Sequence, residues 1–458
     1  MAKSNSFRVG KVRADLRGNV WYLTYHEDGR RIRRRVSSDR KTAQQMAAQV
    51  NAQIEVSAPT AFSFEAIGID QLQERWLKHH EHVLRSSVHT MRRYRTATQH
   101  IINFVRCRAP RLQTAQFTQR HAEDFVRYLR TIEVAPNGHA NTAKRPLLDN
   151  GVRYILATCR SMFVFADKHR HLSPYAQNPF SSIDLDRMPT DDARPIHLLT
   201  FEQERQFLEQ CDDWQFPMFL LLMLTGMRPG EATHLLLPDD VDLKKRHLLI
   251  RNKPQLGWQV KTRNERQIPI VPDLVDVLAR YIGHRKTGPL VTRRLIQLCP
   301  NSGSVFSGTK AMERAFVDHT ERLRNADTDV SQRELQQRAA KQVWREAGAI
   351  RTDRIRSEFM RVTRSVGLPE MTAPKSLRHL FATELQDKNV DPLIRSELMG
   401  HSTNRDGGGL GMTGRYTHTR PETKARELER AMSGRAAILV AREWLKKQGS
   451  DSDNDQIT

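Results

Sequence analysis

The spacing of apolar and polar residues changes along the chain, and the changes predict different kinds of element. Near the amino terminus the pattern alternates. In VWYLTYH, Trp21, Leu23 and Tyr25 fall on one face of a strand while Tyr22 and Thr24 fall on the other. FRVGKVRA precedes this run and RRIRRRVSS follows it, with turns expected at Arg17-Gly18-Asn19 and Asp28-Gly29, so three strands are predicted, then a helix at TAQQMAAQVNAQIE. Residues 57–60 read as a linker. Helical spacing then takes over to about residue 190, with helices expected over 64–83, 88–106, 118–132 and 150–169. In the last of these Val152, Ile155, Leu156, Cys159, Phe163 and Ala166 share helical spacing, and Arg153, Arg160, Lys168 and Arg170 lie elsewhere around the wheel. Pro174, Pro179, Pro189 and Pro195, with Asp186, Asp191 and Asp192 among them, mark a second linker over 173–197.

Beyond residue 198 the pattern is mixed. Thr200 is placed to cap a helix with Gln203 at its third position, and FPMFLLLMLTG is apolar on every face. RHLLIR, GWQVKT, RQIPIV and SVFSG read as short strands. Residues 309–350 are charged and Gln-rich with few large apolar positions, which predicts a surface insertion. The expected architecture is multidomain and mainly α with small β-sheets. It comprises a three-stranded β plus helix unit over 1–57, an all-α unit over 62–190, a mixed α+β unit over 198–432 that holds the insertion, and a C-terminal tail over 433–458.

Charge narrows the partner. Lys and Arg number 74 against 52 Asp and Glu, a formal charge of +22, which suits a chain that neutralises many phosphates. By charge alone a ribosome-associated protein or generic basicity stands beside a DNA-binding protein. The third strand sharpens the choice: Arg30, Arg31, Arg33, Arg34 and Arg35 lie on both faces of a thin sheet, and DNA contact explains them better than a solvated edge does. Four cysteines without a C-x-x-C pair suggest neither a disulfide framework nor a zinc site, which fits a reducing cytoplasm. MAKSNSFRVG lacks an apolar signal core, and no stretch approaches the ~18 apolar residues that span a membrane. A soluble protein is expected. The run His79-His80-Glu81-His82 diverges around a helix and reads as a solvated helix end, not a metal site.

Five short stretches carry candidate chemistry: TGMRPGE (225–231), QVKTRNERQIPI (259–270), PKSLRHLFATELQ (374–386), LMGH (398–401) and GRYTHTRPET (414–423). Phosphoryl transfer is catalysed mainly by positioning and by stabilising charge on the equatorial oxygens. No carboxylate cluster is spaced for two magnesium ions, so cationic side chains would do that work. Arginine forks suit it, each charge-assisted bond contributing ~1.5–3 kcal/mol. A nucleophile is available in Tyr416, between Arg415 and His418. A free tyrosine has a pKa of about 10 and is only ~0.1% phenolate at neutral pH, so neighbouring cations must supply ~4 kcal/mol of preference for the anion. On its own Tyr416 would read as an ordinary surface or core tyrosine.

In this order the five stretches resemble the catalytic domain of the tyrosine recombinases, the phage integrase family, over residues 198–432. The resemblance implies that Arg228 and Arg378 clamp the scissile phosphate, His401 hydrogen-bonds it, Lys261 on a β-hairpin protonates the 5'-hydroxyl leaving group, and Tyr416 is the nucleophile. His379 would be a structural or hydrogen-bonding neighbour. Lys375 occupies a position that is often histidine in the family, and Asp406-Gly407-Gly408-Gly409-Leu410-Gly411 lengthens the connection from His401 to Tyr416. Residues 62–190 resemble the helical, SAM-like core-binding domain, with Arg153 and Arg160 on its DNA side. Residues 1–57 are similar to arm-binding domains of the larger integrases, with Arg31, Arg33, Arg34 and Arg35 as DNA contacts. The implied protein is a site-specific recombinase that integrates or excises a mobile element through a 3'-phosphotyrosyl intermediate, with no metal or other cofactor.

The implied partners are double-stranded DNA with core-type and arm-type sites, three further protomers in a synaptic homotetramer, and accessory DNA-bending proteins of host or element. No membrane partner is implied. The location would be cytoplasmic, on the nucleoid when DNA-bound, and ETKARELERAMSGRAAILVAREWLK is a candidate helix for docking onto a neighbour. Two alternatives share the fold: a catalytically silent DNA-binding protein, disfavoured by retention of the whole residue set, and a type IB topoisomerase, disfavoured by the arm-like amino-terminal unit.

Overall fold

A computed structural model of the chain describes residues 5–135, 138, 141–190, 196–298, 304–327, 330–401 and 419–454. The chain divides into two compact units, 1–194 and 195–458.

The first unit opens with strands β1 (Ser6–Val9), β2 (Val12–Arg17), β3 (Val20–Glu27) and β4 (Arg30–Ser37) in an antiparallel sheet of that order, followed by α1 (Arg40–Glu55). The sheet has four strands, not the expected three. FRVGKVRA turns at Gly10-Lys11 and pairs with itself, and Asn51 Oδ1 on α1 accepts the Lys11 N–H at 2.7 Å, pinning the turn to the helix. Asp39 caps α1 by accepting from the Thr42 N–H at 2.8 Å. Ala43, Ala47 and Val50 then pack on Trp21, Leu23 and Tyr25 to form a small apolar core.

Residues 57–60, expected as a linker, are anchored. Thr60 is fully buried, its N–H donates to Glu27 Oε1 at 2.8 Å, and its hydroxyl lies 3.2 Å from the Tyr25 hydroxyl. Beyond it come α2 (Ile69–His82), α3 (Val88–Arg108), α4 (Gln119–Thr131), the short pair β5 (Glu133–Val134) and β6 (Arg145–Pro146), and α5 (Asp149–Lys168). The first of these helices starts later than residue 64, because the preceding residues are extended: the Thr114 N–H donates to Ile67 O at 2.8 Å and the Glu65 N–H to Arg170 O at 2.8 Å. His79 and His80 are not merely solvated. His79 packs on Phe165 and His80 on Trp76 and Tyr94. The second expected linker is also largely seated: Phe180 is buried among the helices, and Ile183, Leu185 and Met188 pack, partly buried, against the same apolar cluster.

The second unit begins with α6 (Phe201–Glu209), capped by Thr200 as its sequence predicts: the Gln203 N–H donates to Thr200 Oγ1 at 3.3 Å and the Thr200 N–H donates to Gln203 Oε1 at 3.0 Å. Next is α7 (Gln215–Thr225), buried on every face as an all-apolar helix must be. The chain continues through α8 (Pro229–Ala232), β7 (Leu236–Leu237), β8 (Val241–Asp242), β9 (His247–Ile250), β10 (Arg266–Pro269), α9 (Pro272–Ile282), β11 (Gly288–Pro289) and α10 (Arg294–Leu298). Strands β8, β9 and β10 form one sheet with β9 central, and β7 pairs with β11. GWQVKT is not a strand. It lies in the connection from β9 to β10, whose pairing starts at Ile250 opposite Arg266. SVFSG forms no strand at its described residues either.

The supposed surface insertion is a packed helix pair, α11 (Thr309–Ala326) and α12 (Gln332–Glu346). Most of its few large apolar residues fall inward: Met312, Phe316, Leu335, Val343 and Trp344 form one buried cluster with Leu236 and Leu256 of the surrounding unit, while Val317 is exposed. Then come α13 (Thr352–Ser365), α14 (Lys375–Asp387), α15 (Pro392–Met399), α16 (Pro421–Met432) and α17 (Ala436–Asn454). Residues expected as a tail for a neighbour are core residues of this unit. Ala437, Ile438, Val440 and Ala441 are buried in the main apolar cluster, so this part of the apolar face is already covered. Arg435 fixes the entry to α17: it donates to Glu204 Oε2 at 2.8 Å and to Met223 O at 3.1 Å, and the Ala437 N–H donates to Glu204 Oε1 at 2.9 Å. Both charged side chains are buried. Among the described residues no helix is long and apolar enough to cross a membrane.

Removing one member of this buried pair leaves the other uncompensated. Glu204→Ala is expected to lower the unfolding free energy by about 3–5 kcal/mol in denaturant titrations.

Candidate active site

The central feature is Arg378, on the first turn of α14. Its guanidinium lies between the carboxyl ends of two helices, donating from Nη1 to Gly226 O after α7 at 2.6 Å and from Nη2 to Met399 O at the end of α15. Helix carboxyl ends leave carbonyls unpaired and carry partial negative charge, so the two ends together form a cradle for a cation. Gly226 makes the approach possible. It has φ of +60°, and a Cβ there would overlap the Phe381 ring. Burial, and then the repulsion of Arg228, push the Arg378 pKa down to about 10, which leaves it a cation at neutral pH. His401, exposed, places Nε2 3.4 Å from Arg378 Nη2. An arginine only donates, so that nitrogen acts as acceptor in this contact.

Arg228 is the N-cap of α8, with Pro229 in the first helical position. Glu231 closes a capping box, accepting the Arg228 N–H at 2.9 Å and the Arg228 Nη1 at 2.9 Å. Its carboxylate also receives Arg266, at 3.2 Å from Nη1 and 2.7 Å from Nη2, and Arg266 Nε donates to Leu398 O at 2.9 Å. Burial acts to raise the Glu231 pKa, but Arg266 and Arg228 outweigh it and hold the carboxyl below its usual range. Glu231 and Arg266 thus tie the Arg228 turn, β10 and the end of α15 together. Sequence reasoning missed both residues. Each lies inside a quoted motif, and the one available signal was the three-residue spacing of Arg228 and Glu231 at a helix start.

Lys261 is exposed in the connection between β9 and β10. That connection is ordered by its own bonds: Asn252 accepts the Val260 N–H at 2.9 Å, Glu265 accepts the Asn252 N–H at 2.8 Å, and Thr262 Oγ1 donates to Gly400 O at 3.4 Å, one residue before His401. Lys375 is the exposed first residue of α14. His379, one turn on, has its pKa lowered by burial, then by Lys375 and Arg378. Arg228, Arg378 and His401 are therefore gathered, Lys261 is carried on a loop tied to the same turn, and Lys375 stands at the helix start nearby in sequence. Tyr416 and the Gly-rich run before it lie outside the described residues. On either side of them, the His401 N–H donates to Ser396 O at 3.0 Å and the Thr419 N–H to Glu397 Oε1 at 3.4 Å, so both flanks are fastened to α15.

The candidate DNA contacts of the first unit divide. Arg31, Arg33 and Arg35 pair across from His26, Thr24 and Tyr22 and so share the sheet face turned away from α1. Arg8, Arg13, Thr24 and Arg33 make one row across that face. Arg33 lies 4.8 Å from the Tyr22 ring centroid. Arg34 is on the other face and donates to Phe62 O at 3.4 Å. On α5, Arg160 donates to Ser181 O at 2.9 Å and Arg153 lies 3.6 Å from Asp186, so both serve intramolecular contacts with the segment after the helix.

Two guanidinium groups and an imidazole thus meet at helix ends, in a mixed unit built around one apolar helix. Residues 197–423 match the Phage integrase family, and the chain belongs to that family of tyrosine recombinases. It is 24% identical over 240 residues to the transposase from transposon Tn916 of Enterococcus faecalis and, equally, to the transposase from transposon Tn1545 of Streptococcus pneumoniae. These alignments cover 49% of this chain and 50% of theirs, so the chain spans about half the length of the curated relatives it matches. The fold is shared with the integrase of transposon Tn1549, solved in complex with transposon right end DNA, at a TM-score of 0.51 and 18% identity, over 80% of this chain and 100% of that one. A second structure of that integrase, with circular intermediate DNA, gives a TM-score of 0.50 at 17% identity, covering 80% and 99%.

The depressed Glu231 pKa has a consequence for stability. A carboxylate held below its unfolded pKa stabilises the fold fully above the unfolded value and loses that contribution as the pH falls through the folded one. Glu231→Gln is therefore expected to cost about 3 kcal/mol at pH 7, a deficit that shrinks steadily in acid when urea unfolding of both proteins is followed against pH.

Proposed function

We propose that the chain is a site-specific DNA recombinase that cuts and rejoins DNA at the ends of a mobile element, integrating or excising it. The observation that carries this reading is the desolvated Arg378 guanidinium, fixed between two helix ends with Arg228 close enough to repel it and His401 in contact. Cations held together against their own repulsion are preorganised for an anion that supplies the missing negative charge, and that is what a phosphodiester passing through its transition state offers.

In the proposed mechanism Tyr416 attacks the scissile phosphate in line, and its phenol proton passes to water as the oxygen–phosphorus bond forms. Arg228, Arg378 and His401 stabilise the equatorial oxygens. Lys375 adds positive charge at the start of α14 and favours the neutral form of His379. Lys261 gives a proton to the departing 5'-oxygen. A 3'-phosphotyrosyl bond results, and attack by a 5'-hydroxyl of a partner strand reverses the chemistry. One ester bond replaces another at each step, so the reaction needs no external energy source. The transposase relatives, and the transposon DNA bound by the Tn1549 integrase, support the same substrate class. Recombination between two sites further implies four protomers in the synapse. The open face of the amino-terminal sheet, with Arg31, Arg33 and Arg35, is the proposed reader of a second, arm-type DNA site.

A nicked suicide duplex made from the DNA that flanks the gene, incubated with the full chain, tests the nucleophile. Wild type should form an adduct that survives denaturation and Tyr416→Phe none; an adduct retained by the variant would assign the nucleophile elsewhere. Arm binding has its own readout. Converting Arg31, Arg33 and Arg35 to alanine should flatten the plot of log affinity against log salt by about 2.7 if each holds one phosphate, and an unchanged slope would remove this face from the interface.

A further inference from the structure

The helix pair α11 and α12 interrupts the second unit, yet its buried side chains do not close on themselves. They converge on the connection that carries Lys261. Trp344 Nε1 on α12 donates to Leu256 O at 3.1 Å. Gly257 follows with φ of +64°, and a Cβ there would stand 2.6 Å from the Ala340 Cβ on α12 and 3.0 Å from the Phe316 ring on α11. The backbone of the connection is thus seated directly on the helix pair, at a point where only glycine fits.

The contact continues to the arginine turn. His234, just after α8, lies between two indoles: it stacks on Trp258 at 4.8 Å and 16°, and meets Trp344 edge-on at 4.4 Å and 67°. Its Nδ1 lies 2.7 Å from Gly230 O, within the turn that follows Arg228. Burial drives the His234 pKa down to about 3, so the ring is neutral at neutral pH and its Nδ1–H can donate to that carbonyl. At the root of the connection, Asp240 is fully buried and receives Arg251 at 2.6 Å and Lys253 at 2.8 Å. Four residues past Trp258, Thr262 reaches Gly400 O. Lys261 therefore sits on a short span fastened at one side by the helix pair and at the other by the turn before His401.

We infer that α11 and α12 position Lys261: through Trp344, Ala340 and Phe316 they press its loop onto His234 and the Arg228 turn, so that the proton donor and the phosphate clamp share one frame. Trp344 and His234 are positioning residues, since neither touches the reacting atoms in this arrangement. The inference rests on the reading of Lys261 as the acid that protonates the leaving oxygen.

That chemistry supplies the test. A nicked suicide duplex of the flanking DNA is prepared in two forms, one with the ordinary bridging 5'-oxygen and one with sulfur in its place. In the sulfur form the phosphorus–sulfur bond breaks and the electron pair leaves as a thiolate, whose conjugate acid has a pKa of about 8.5, so no proton donor is needed. Lys261→Ala should lose ~10²–10⁴-fold on the oxygen duplex and recover on the sulfur duplex. Gly257→Ala and Trp344→Phe, the second replacing the indole by a smaller phenyl ring that lacks the N–H, should lose roughly 10–100-fold on oxygen and return to within about threefold of wild type on sulfur, as expected for a misplaced donor. Arg378→Ala should be impaired on both.

Equal losses on the two duplexes for Gly257→Ala and Trp344→Phe, or no loss on either, would overturn the inference while Lys261→Ala still behaves as an acid variant. If Lys261→Ala is itself not rescued by sulfur, the reading of Lys261 fails and the inference with it. Trp344→Phe leaves an apolar ring at the buried position, and a melting temperature near that of wild type shows that a selective loss is not general unfolding. Adding Ala340→Gly to Gly257→Ala removes the atom nearest the new Cβ and should restore part of the oxygen-duplex rate; a further fall would count against the contact.

Discussion

Much of the second unit is organised by the need to keep one arginine charged out of water. A buried guanidinium loses hydration worth several kcal/mol even after relaxation, and the loss has to be offset by hydrogen bonds and opposing charge. The fold supplies both from backbone: Gly226 O and Met399 O, each at the carboxyl end of a helix, accept the Arg378 donors. This one side chain thereby sets the relation of α7, α14 and α15. It also explains the left-handed glycine at 226, because the carbonyl reaches the guanidinium only where the chain turns tightly against Phe381.

A second layer follows from the first. With Arg378 held in place, Arg228 and Arg266 crowd the same region, and Glu231 is the buried carboxylate that both of them reach. Its charge offsets part of the repulsion, and its bonds to the Arg228 backbone shape the start of α8. The balance remains positive at the surface, where Lys375 is exposed. Rigidity and residual charge are thus two aspects of one arrangement: the groups that satisfy the arginines fix them in place without fully neutralising them, which in the proposed mechanism suits transient binding of a more negative transition state.

The helix pair α11 and α12 shows how such a site is extended. Its outer face is charged, so in sequence it looks detachable, but its sparse apolar residues occur at positions that helical geometry gathers on one side. That side packs where the Lys261 connection leaves β9. A loop is a poor platform for a side chain that must be placed accurately unless its backbone is held from outside, and here tryptophan, glycine and histidine hold it.

Local regularities were legible without coordinates. The Thr200 cap, the all-buried helix α7 and the alternation of β3 follow from side-chain period and capping chemistry, each of which acts over a few residues, and the order of short motifs singled out Arg228, Arg378 and His401 as candidates. What tertiary structure decided concerns partners far apart in the chain. The turn at Gly10-Lys11 depends on Asn51, the burial of Thr60 on Glu27 and Tyr25, the seating of α17 on Glu204, and the order of the Lys261 loop on Trp344. Glu231 and Arg266 belong to the same class: their importance lies in a contact between residues 35 positions apart. A sequence carries periodicity and local bonding on its face, because those act between near neighbours. Long-range pairings exist only once burial has brought distant segments together, and these pairings decided which polar residues form the site and which loops are fixed.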